Sequence, residues 1–361
     1  MNLSLSRRRM LALAGTGLAA PLLGCSRADR KPPASSLPVR IEVVAGGLAR
    51  PWSLAFLPDG SLLVTEKSGS MKRVAGGKAR PVAGVPSVMA EGQGGLFDVV
   101  LAPDFATTGR LFLTLAQGSV AANGTRLVAA RLDGDRLRDV TPLWTATPAK
   151  RGAVHFGGRL LLLPDGTLLL TTGDGFDFRE EAQRASSPLG KTIRLTQAGE
   201  PAPGNPAAGP EALPEVWTLG HRNPQGLARD PLSGRIYLSE HGPRGGDEVN
   251  LLSAGENYGW PVATRGMDYS GATISPFRSY PGMIDPVHVW TPSIAPSGLA
   301  VCRGTLFPEW EGDLFSGALV DRELRRLRLS ADGARVLGEE RVAPGLGARV
   351  RDVRVGPDGA L

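Results

Sequence analysis

A short pattern of apolar and turn-forming residues recurs along the chain. In its clearest copy, the apolar residues 52–57 are followed by Pro58-Asp59-Gly60 and then by a second apolar stretch, residues 62–65. Proline fixes φ at the first turn position, aspartate can accept a hydrogen bond from the backbone two residues on, and glycine accepts a positive φ. Each copy of the pattern therefore predicts two strands joined in a hairpin.

Six copies of this hairpin pattern occur, without helical segments between them, and their markers are Pro58, Pro103, Pro164, Pro231, Pro308 and Pro357. Repeats of about 40–50 residues that carry several strands are typical of propeller blades. The pattern predicts an all-β fold, a six-bladed β-propeller over residues 39–361, and a β-sandwich with coincidentally similar turns is the alternative. The last copy stops at Leu361, within its second strand. We therefore expect a truncated last blade, closed by a strand at residues 39–45.

The composition agrees with a protein rich in short strands. The 361 residues include 48 glycines and 30 prolines, which favour turns over long helices. Hydrophobic residues make up 42% and charged residues 21%, which excludes disorder of the whole chain. The net charge of +6 belongs partly to the N-terminus, and no basic stripe with interleaved aromatic residues is present. Nucleic acid is therefore not expected as a partner.

The N-terminus has the pattern of an export signal, which is excluded from the fold. Residues 1–25 combine Arg7-Arg8-Arg9, of twin-arginine character, with an apolar stretch at residues 11–23. They end in Leu22-Leu23-Gly24-Cys25, which resembles the lipobox of a bacterial lipoprotein. An ordinary signal peptide with a coincidental cysteine is the alternative.

Residues 26–38, which follow this signal, are rich in proline, serine and charge, as in a flexible linker. The lipoprotein interpretation predicts an exported, periplasmic protein that is anchored to a membrane through lipid on Cys25. Ser26 after the lipid-bearing cysteine favours the outer membrane.

Two histidine motifs stand directly before predicted strands, at His155-Phe156-Gly157-Gly158-Arg159 and at His221-Arg222-Asn223-Pro224-Gln225-Gly226. His155 lies beside glycines and titrates near neutrality, as a general base must, although it could also solvate its own turn. The fixed N–H donors of the Arg222 guanidinium suit a carboxylate or a quinone-type oxygen as acceptor. The alternative is that Arg222 bridges two blades of the propeller.

Residues 239–250 are a candidate site for a hard cation. Carboxylates and free carbonyls surround Gly242-Pro243, and Ca²⁺ binds oxygen ligands from side chains and backbone. The motif carries no EF-hand spacing and is weak by itself. Zinc is not expected at His241, because no cluster of cysteine and histidine has the required spacing.

Two further loops carry polar groups that could meet a ligand. In Arg349-Val350-Arg351-Asp352, alternate residues share a face, so both arginines point the same way and repel unless an anion lies between them. A pair of solvated surface arginines is the alternative. Gln93 offers an amide within a glycine-rich loop. Dinucleotide-binding, P-loop and serine-hydrolase elbow motifs are absent from the sequence, which disfavours those enzyme classes.

The ordered set of motifs resembles the soluble sugar dehydrogenases that depend on pyrroloquinoline quinone (PQQ), the glucose/sorbosone dehydrogenase family. The aldose sugar dehydrogenase branch is the most similar. The resemblance runs from about Ile41 to Leu361 and is carried by residues 155–160, 189–195, 221–226, 240–243, 247–250, 257–261 and 349–352.

The resemblance implies a six-bladed propeller with PQQ over the central channel. His155 matches the general base that takes the proton of the sugar C1 hydroxyl while hydride passes to C5 of PQQ. Arg222 matches the arginine beside the C5 oxygen, where it stabilises developing negative charge. The other matches to PQQ-contacting residues are Gln93, Asn223, Arg349 and Arg351.

The resemblance also implies two calcium sites. The carbonyls of Gly242 and Pro243 match ligands of a Ca²⁺ that bridges protein and PQQ and polarises the quinone. Glu248 and Tyr258, together with Asp268, match a separate structural site. Trp290 matches a position that flanks the sugar pocket.

The chain departs from the family pattern at two positions. Val320 stands where members of the family place a lysine near PQQ, which removes one cation or shifts its role to Arg322. Val154 stands where some members have an aspartate before the catalytic histidine.

The sequence thus leads to one hypothesis and two rivals. The main hypothesis is a PQQ- and Ca²⁺-dependent dehydrogenase that oxidises aldose sugars to lactones and passes electrons to a quinone or a small electron-transfer protein. The rivals are a cofactor-free, calcium-dependent propeller lactonase or hydrolase, and a non-catalytic binding propeller.

Overall fold

The computed structural model describes residues 31–206 and 209–361. The predicted signal, residues 1–25 with Cys25, lies outside the described residues. Pro32–Leu361 group together as one unit. Within the described ranges, no helix has both the length and the apolar character that crossing a bilayer requires.

The described strands form five four-stranded antiparallel sheets, and in every sheet the strands pair in chain order. The first sheet contains β1 (Pro51–Phe56), β2 (Leu62–Glu66), β3 (Ser70–Ala75) and β4 (Lys78–Val82). The second contains β5 (Leu96–Leu101), β6 (Arg110–Ser119), β7 (Ala122–Asp133) and β8 (Arg136–Thr145). The third contains β9 (Leu160–Leu162), β10 (Leu168–Thr171), β11 (Lys191–Leu195) and β12 (Val216–Leu219). The fourth contains β13 (Pro224–Arg229), β14 (Ile236–Glu240), β15 (Asp247–Leu252) and β16 (His288–Trp290). The fifth contains β17 (Pro296–Val301), β18 (Leu314–Ala318), β19 (Leu324–Leu329) and β20 (Val336–Val342). The helical segments of the described chain are short: α1 (Phe105–Thr108) and the 3₁₀ turns Arg179–Gln183 and Pro308–Trp310.

The predicted turns join the first two strands of their sheets. In the first sheet, Asp59 accepts a hydrogen bond from the Ser61 N–H at 3.0 Å, and Gly60 has a φ of +81°. In the third sheet, Asp165 accepts from the Thr167 N–H at 3.0 Å in the same way. The side chain of the turn aspartate thus replaces a backbone acceptor, as the sequence pattern predicts.

The five sheets are arranged around a central axis. Their first strands, β1, β5, β9, β13 and β17, contact one another in that order. The hydrophobic core is divided into layers between neighbouring sheets. Leu63 and Leu113 belong to the layer between the first and second sheets, and Phe112 and Leu170 to the layer between the second and third. This arrangement confirms the all-β propeller.

The prediction of a sixth blade is wrong, because the described residues form five four-stranded sheets. Residues 350–361 contain no strand, although their turn forms and the Gly356 N–H donates to the Ala360 carbonyl at 2.7 Å. The expected closing strand at residues 39–45 is not formed either. A strand needs a partner strand to satisfy its backbone hydrogen-bonding groups, and residues 350–361 pair with neighbouring segments through isolated hydrogen bonds only.

Residues 350–355 nevertheless lie between the fifth and the first sheets. The Gly298 N–H on β17 donates to the Arg351 carbonyl at 3.1 Å. On the other side, the Leu54 N–H on β1 donates to the Asp352 carboxylate at 3.3 Å. This closing segment thus takes the place of the innermost strand between β17 and β1.

Buried ion pairs fasten the closing segment. Arg354 lies 2.7 Å from Asp98 on β5 and 3.0 Å from Asp352, and Arg159 lies 2.8 Å from Asp352. The Asp98 side chain has no exposed surface. Burial alone would raise the pKa of Asp352, but Arg159 and Arg354 together hold that pKa below its usual value. The two arginines therefore favour the charged form of Asp352 inside the ring.

Arg354→Leu is expected to lower the free energy of unfolding by about 3 kcal/mol, because two buried carboxylates lose a partner. Urea unfolding measures this loss. Arg131→Leu is the matched control, since the ion pair of Arg131 with Asp139 is exposed and should contribute less than about 1 kcal/mol. An Arg354 variant as stable as the control would show that the network does not hold the ring closed.

Candidate active site

A cavity of about 620 Å³ lies on the axis of the propeller. Its wall includes residues at or just before the N-terminal end of the first strand of every sheet, together with the closing segment: Trp52, Phe97, Gly157, Gln225, Ala295 and Arg351. Cavities of this size hold small molecules and cofactors. The cavity is therefore the candidate site, and the sheets place their loops around it.

The described residues that line the cavity include four cationic side chains and no carboxylate. The cations are Arg50, Lys67, Arg349 and Arg351. Aromatic rings form part of the wall: Trp52 lies 5.3 Å from Phe97, and Phe97 lies 5.8 Å from Phe156, measured between ring centroids. This combination suits a planar ligand that carries several negative charges.

His155 lies beside the cavity in a buried pair with Asp174. The Nδ1 atom of His155 is 2.6 Å from Oδ1 of Asp174, whose side chain is fully buried. The same carboxylate accepts from the Phe176 N–H at 2.8 Å and from Trp260 Nε1 at 2.7 Å. An ionised aspartate only accepts, so His155 Nδ1 donates and the lone pair of the neutral ring is on Nε2.

Burial is the main influence on the titration of His155 and lowers its pKa below 6.5. Asp174 opposes this shift, whereas the charges of Arg222 and Lys150 add to it. His155 is therefore neutral at pH 7, in the state in which an imidazole can accept a proton.

The structure brings Gln93, His155 and Asn223 together. The His155 N–H donates to Oε1 of Gln93 at 2.9 Å, and Nδ2 of Asn223 lies 3.4 Å from the same oxygen. Oδ1 of Asn223 accepts from the Gly157 N–H at 3.3 Å. Gln93 and Asn223 line the cavity, so the amides that the sequence analysis selected lie next to the histidine.

Arg222 is buried near His155 and lies under aromatic rings. Its guanidinium carbon is 5.2 Å from the Trp260 ring and 5.9 Å from the Tyr269 ring. Its Nη1 atom donates hydrogen bonds to the His241 carbonyl at 3.0 Å and to the Gly242 carbonyl at 2.6 Å. Trp260 therefore contacts both Arg222 and the carboxylate that orients His155.

Asp247 holds the loop that carries the predicted calcium-binding carbonyls of Gly242 and Pro243. It accepts from the Gly242 N–H at 2.9 Å and from the Ala295 N–H at 2.8 Å. The Gly242 carbonyl already accepts from Arg222, but a carbonyl oxygen has two lone pairs. Two backbone oxygens on one fixed loop are suitable donors for Ca²⁺.

The residues predicted for a second calcium site lie in different environments. The Tyr258 hydroxyl donates to the Leu251 carbonyl at 2.8 Å and accepts from the Ser253 N–H at 2.8 Å. Asp268 is exposed and accepts from Ser270 within its own turn. Burial and the neighbouring Glu240 raise the pKa of Glu248 well above its usual value. Across residues 31–206 and 209–361, no three or more His, Cys, Asp or Glu side chains group as metal ligands.

Arg349 and Arg351 both line the cavity, as their alternation predicts. Nη1 of Arg351 donates to Oε1 of Gln225 at 3.1 Å, and Nη1 of Arg349 donates to the Leu319 carbonyl at 3.1 Å. Burial and the charges of Arg159 and Arg349 lower the pKa of Arg351 to about 10. The two arginines are therefore closely spaced cations that face the cavity. A bound anion would stabilise this arrangement.

Trp290 does not line the cavity. It is buried in the core layer between the fourth and fifth sheets, and its Nε1 donates to Glu339 at 2.8 Å. The structure thus places Trp290 in the core rather than in the wall of a sugar pocket.

Sequence reasoning missed several residues of the site. Asp174 was not selected, although an acid within Thr172-Gly173-Asp174-Gly175, directly after β10, is an available signal. Arg50 and Lys67 were missed because they flank the first hairpin, whose pattern is purely structural. Trp52 and Phe97 follow the ordinary alternation of buried strands.

Fold and site together define a β-propeller enzyme with a buried His–Asp pair beside a cation-lined axial cavity. The sequence model of the family described as Glucose / Sorbosone dehydrogenase matches residues 48–361. The chain belongs to this family of oxidoreductases.

Characterised relatives are similar over nearly the whole chain. Aldose sugar dehydrogenase YliI of Escherichia coli is 41% identical over 350 residues, which cover 94% of this chain and 93% of the relative. The apo-form structure of a soluble aldose sugar dehydrogenase from Escherichia coli has a TM-score of 0.84 at 40% identity, covering 88% of this chain and 93% of that one. The PQQ-bound structure of an aldose sugar dehydrogenase from Streptomyces coelicolor has a TM-score of 0.74 at 33% identity, covering 90% of each chain.

Proposed function

We propose that this protein oxidises aldose sugars to lactones at the C1 hydroxyl, with PQQ as redox cofactor and Ca²⁺ as its metal. The observation that carries the proposal is the axial cavity, where four cations and a set of aromatic rings lie beside the buried His155–Asp174 pair. The names of the relatives support the sugar substrate, and the PQQ-bound relative supports the cofactor.

The residues present fit PQQ. PQQ is a planar quinone with several carboxylates, so it suits aromatic walls and a surplus of positive charge. Arg349 and Arg351 would hold carboxylates, and Gln93 and Asn223 would offer amide hydrogen bonds. When bound, PQQ supplies the acceptor for the hydride that leaves the sugar C1.

The chain itself supplies the proton transfer and the electrostatics. His155 Nε2 takes the proton from the C1 hydroxyl, because Asp174 occupies Nδ1 and fixes the tautomer. The positive charge of Arg222 stabilises negative charge that develops beside it. The carbonyls of Gly242 and Pro243 would hold Ca²⁺, which supplies Lewis-acid polarisation there. A second calcium at Glu248, Tyr258 and Asp268 has less support, because the Tyr258 hydroxyl is already bound on both sides by backbone.

Localisation and electron transfer are part of the proposal and rest on the sequence. The segment ending at Cys25 supports export to the periplasm and a lipid anchor, with the outer membrane favoured. Acyl labelling of Cys25 is the measurement that checks the anchor. A quinone or a small electron-transfer protein would receive the electrons.

A PQQ titration of the purified protein, in Ca²⁺ and in EDTA, tests the function. Dye reduction with a panel of aldoses is expected to saturate with PQQ and to require Ca²⁺. Lactone hydrolysis that needs metal but not PQQ would favour the rival hydrolase. Sugar binding without dye reduction at saturating PQQ would favour the binding propeller.

A further inference from the structure

Two of the four cations that line the cavity come from the first sheet and were not selected from the sequence. Arg50 directly precedes β1, and Lys67 directly follows β2. Arg351 approaches from the closing segment, and Arg349 lies directly before that segment. Val320 lies between β18 and β19 of the fifth sheet, with 58% of its surface exposed, and offers no cation. The positive charge of the cavity is therefore supplied from both sides of the gap between the fifth and first sheets.

The backbone fixes Lys67 at the cavity. Its N–H donates to the Arg50 carbonyl at 3.0 Å, and its own carbonyl accepts from the Leu96 N–H at 3.2 Å. Gly95 makes this approach possible: it has a φ of +146°, and a Cβ there would lie 2.1 Å from the Lys67 carbonyl oxygen. Lys67 is thus held between the first and second sheets, and it does not sit on a free loop.

The ammonium group of Lys67 has little negative charge around it. Nζ donates to the carbonyl of Ala90 at 2.9 Å, which is a neutral acceptor. Burial lowers the pKa of Lys67, and the positive charges of Arg50 and Arg351 lower it further, whereas Glu91 opposes them. Cations that lie this close repel one another, and a bound carboxylate would relieve the repulsion.

We propose that Lys67, supported by Arg50, binds a carboxylate of PQQ from the first-sheet side of the cavity. Arg349 and Arg351 bind from the closing-segment side, so PQQ is held between two cationic pairs. The inference rests on the proposed function, because it assigns the cofactor of that site. It also explains how the cavity remains strongly cationic with valine at position 320.

The test measures PQQ affinity rather than turnover. Purified full-length protein without cofactor is titrated with PQQ in Ca²⁺, and the quenching of tryptophan fluorescence reports binding, since Trp52 lines the cavity. The variants are Lys67→Met, Lys67→Gln and Lys67→Arg. Lys78→Met is the matched control, because Lys78 is an exposed lysine on β4 of the same sheet. The trimethyl ester of PQQ serves as a probe without carboxylate charge.

We expect Lys67→Met and Lys67→Gln to raise the Kd for PQQ about tenfold. This is a small effect for the loss of a hydrogen bond between charged groups, because Lys67 is only half-buried. Lys67→Arg should stay within about threefold of wild type, Lys78→Met should be unchanged, and the ester should bind wild type and Lys67→Met alike. Wild-type affinity for PQQ in both neutral variants would overturn the assignment and leave the proposed function intact. Failure of the wild type itself to bind PQQ would overturn the proposed function.

Discussion

His155→Ala is expected to lower kcat for aldose oxidation by a factor of about 10²–10⁴ at saturating PQQ, the usual contribution of a general base. The variant loses the only nitrogen that Asp174 leaves free to accept the proton of the C1 hydroxyl. Steady-state dye reduction measures the loss, and the fluorescence titration verifies that PQQ is bound.

His288→Ala is the matched control for this experiment. His288 lies on β16, where it approaches Glu339 at 3.4 Å, and it does not line the cavity. Its removal should change kcat less than about twofold. A native rate in the PQQ-loaded His155 variant would show that another group takes the proton.

The pH profile offers a second readout of the same histidine. A general base works in its neutral form, and burial lowers the pKa of His155 below 6.5. The acid limb of kcat/KM, on which the imidazole becomes protonated, should therefore be centred below pH 6.5. An acid limb centred at 6.5 or above would contradict the environment described for His155.

Asp174→Asn is expected to lower kcat by about 10²–10⁴, although the side chain keeps its size. All three neighbours of the Asp174 carboxylate donate to it: His155 Nδ1, the Phe176 N–H and Trp260 Nε1. An amide nitrogen would face a donor in either orientation. The His155 ring then turns or changes tautomer, and Nε2 no longer presents its lone pair to the sugar.

Asp177→Asn separates this effect from a general loss of negative charge near the cavity. Asp177 is exposed, lies only three positions further along the chain, and approaches Arg151 at 3.9 Å. Its variant should keep the native kcat. Equal activity of the Asp174 and Asp177 variants, with PQQ bound in both, would contradict the orienting role of Asp174.

Arg222 and Trp260 connect the two halves of the site. Trp260 donates to Asp174 on one side and lies 5.2 Å from the Arg222 guanidinium carbon on the other. In the sequence, residues 257–261 contributed to the family resemblance, and Tyr258 alone among them was assigned to a calcium site. In the structure, Trp260 donates a hydrogen bond to Asp174 and thereby helps to orient His155.

The sequence alone determined the parts of this protein that depend on near neighbours. The Pro-Asp-Gly turns act within a few residues, so the hairpins, the all-β class and the loops that carry His155 and Arg222 were legible from the pattern. The alternation of a strand-like segment likewise predicted that Arg349 and Arg351 share a face. The ordered motifs carried the family resemblance that the comparisons confirm.

Which distant groups meet depends on the tertiary fold, because local patterns carry no information about contacts between sheets. Asp174 lies 19 positions from His155 and pairs with it because β10 returns the chain to the axis. Lys67 reaches the cations of the closing segment only once the ring is closed, and Trp290, which the resemblance placed at the sugar, is turned into the core. The number of complete sheets also depends on the tertiary fold. A turn forms from neighbouring residues, whereas a strand needs partner strands for its backbone hydrogen bonds.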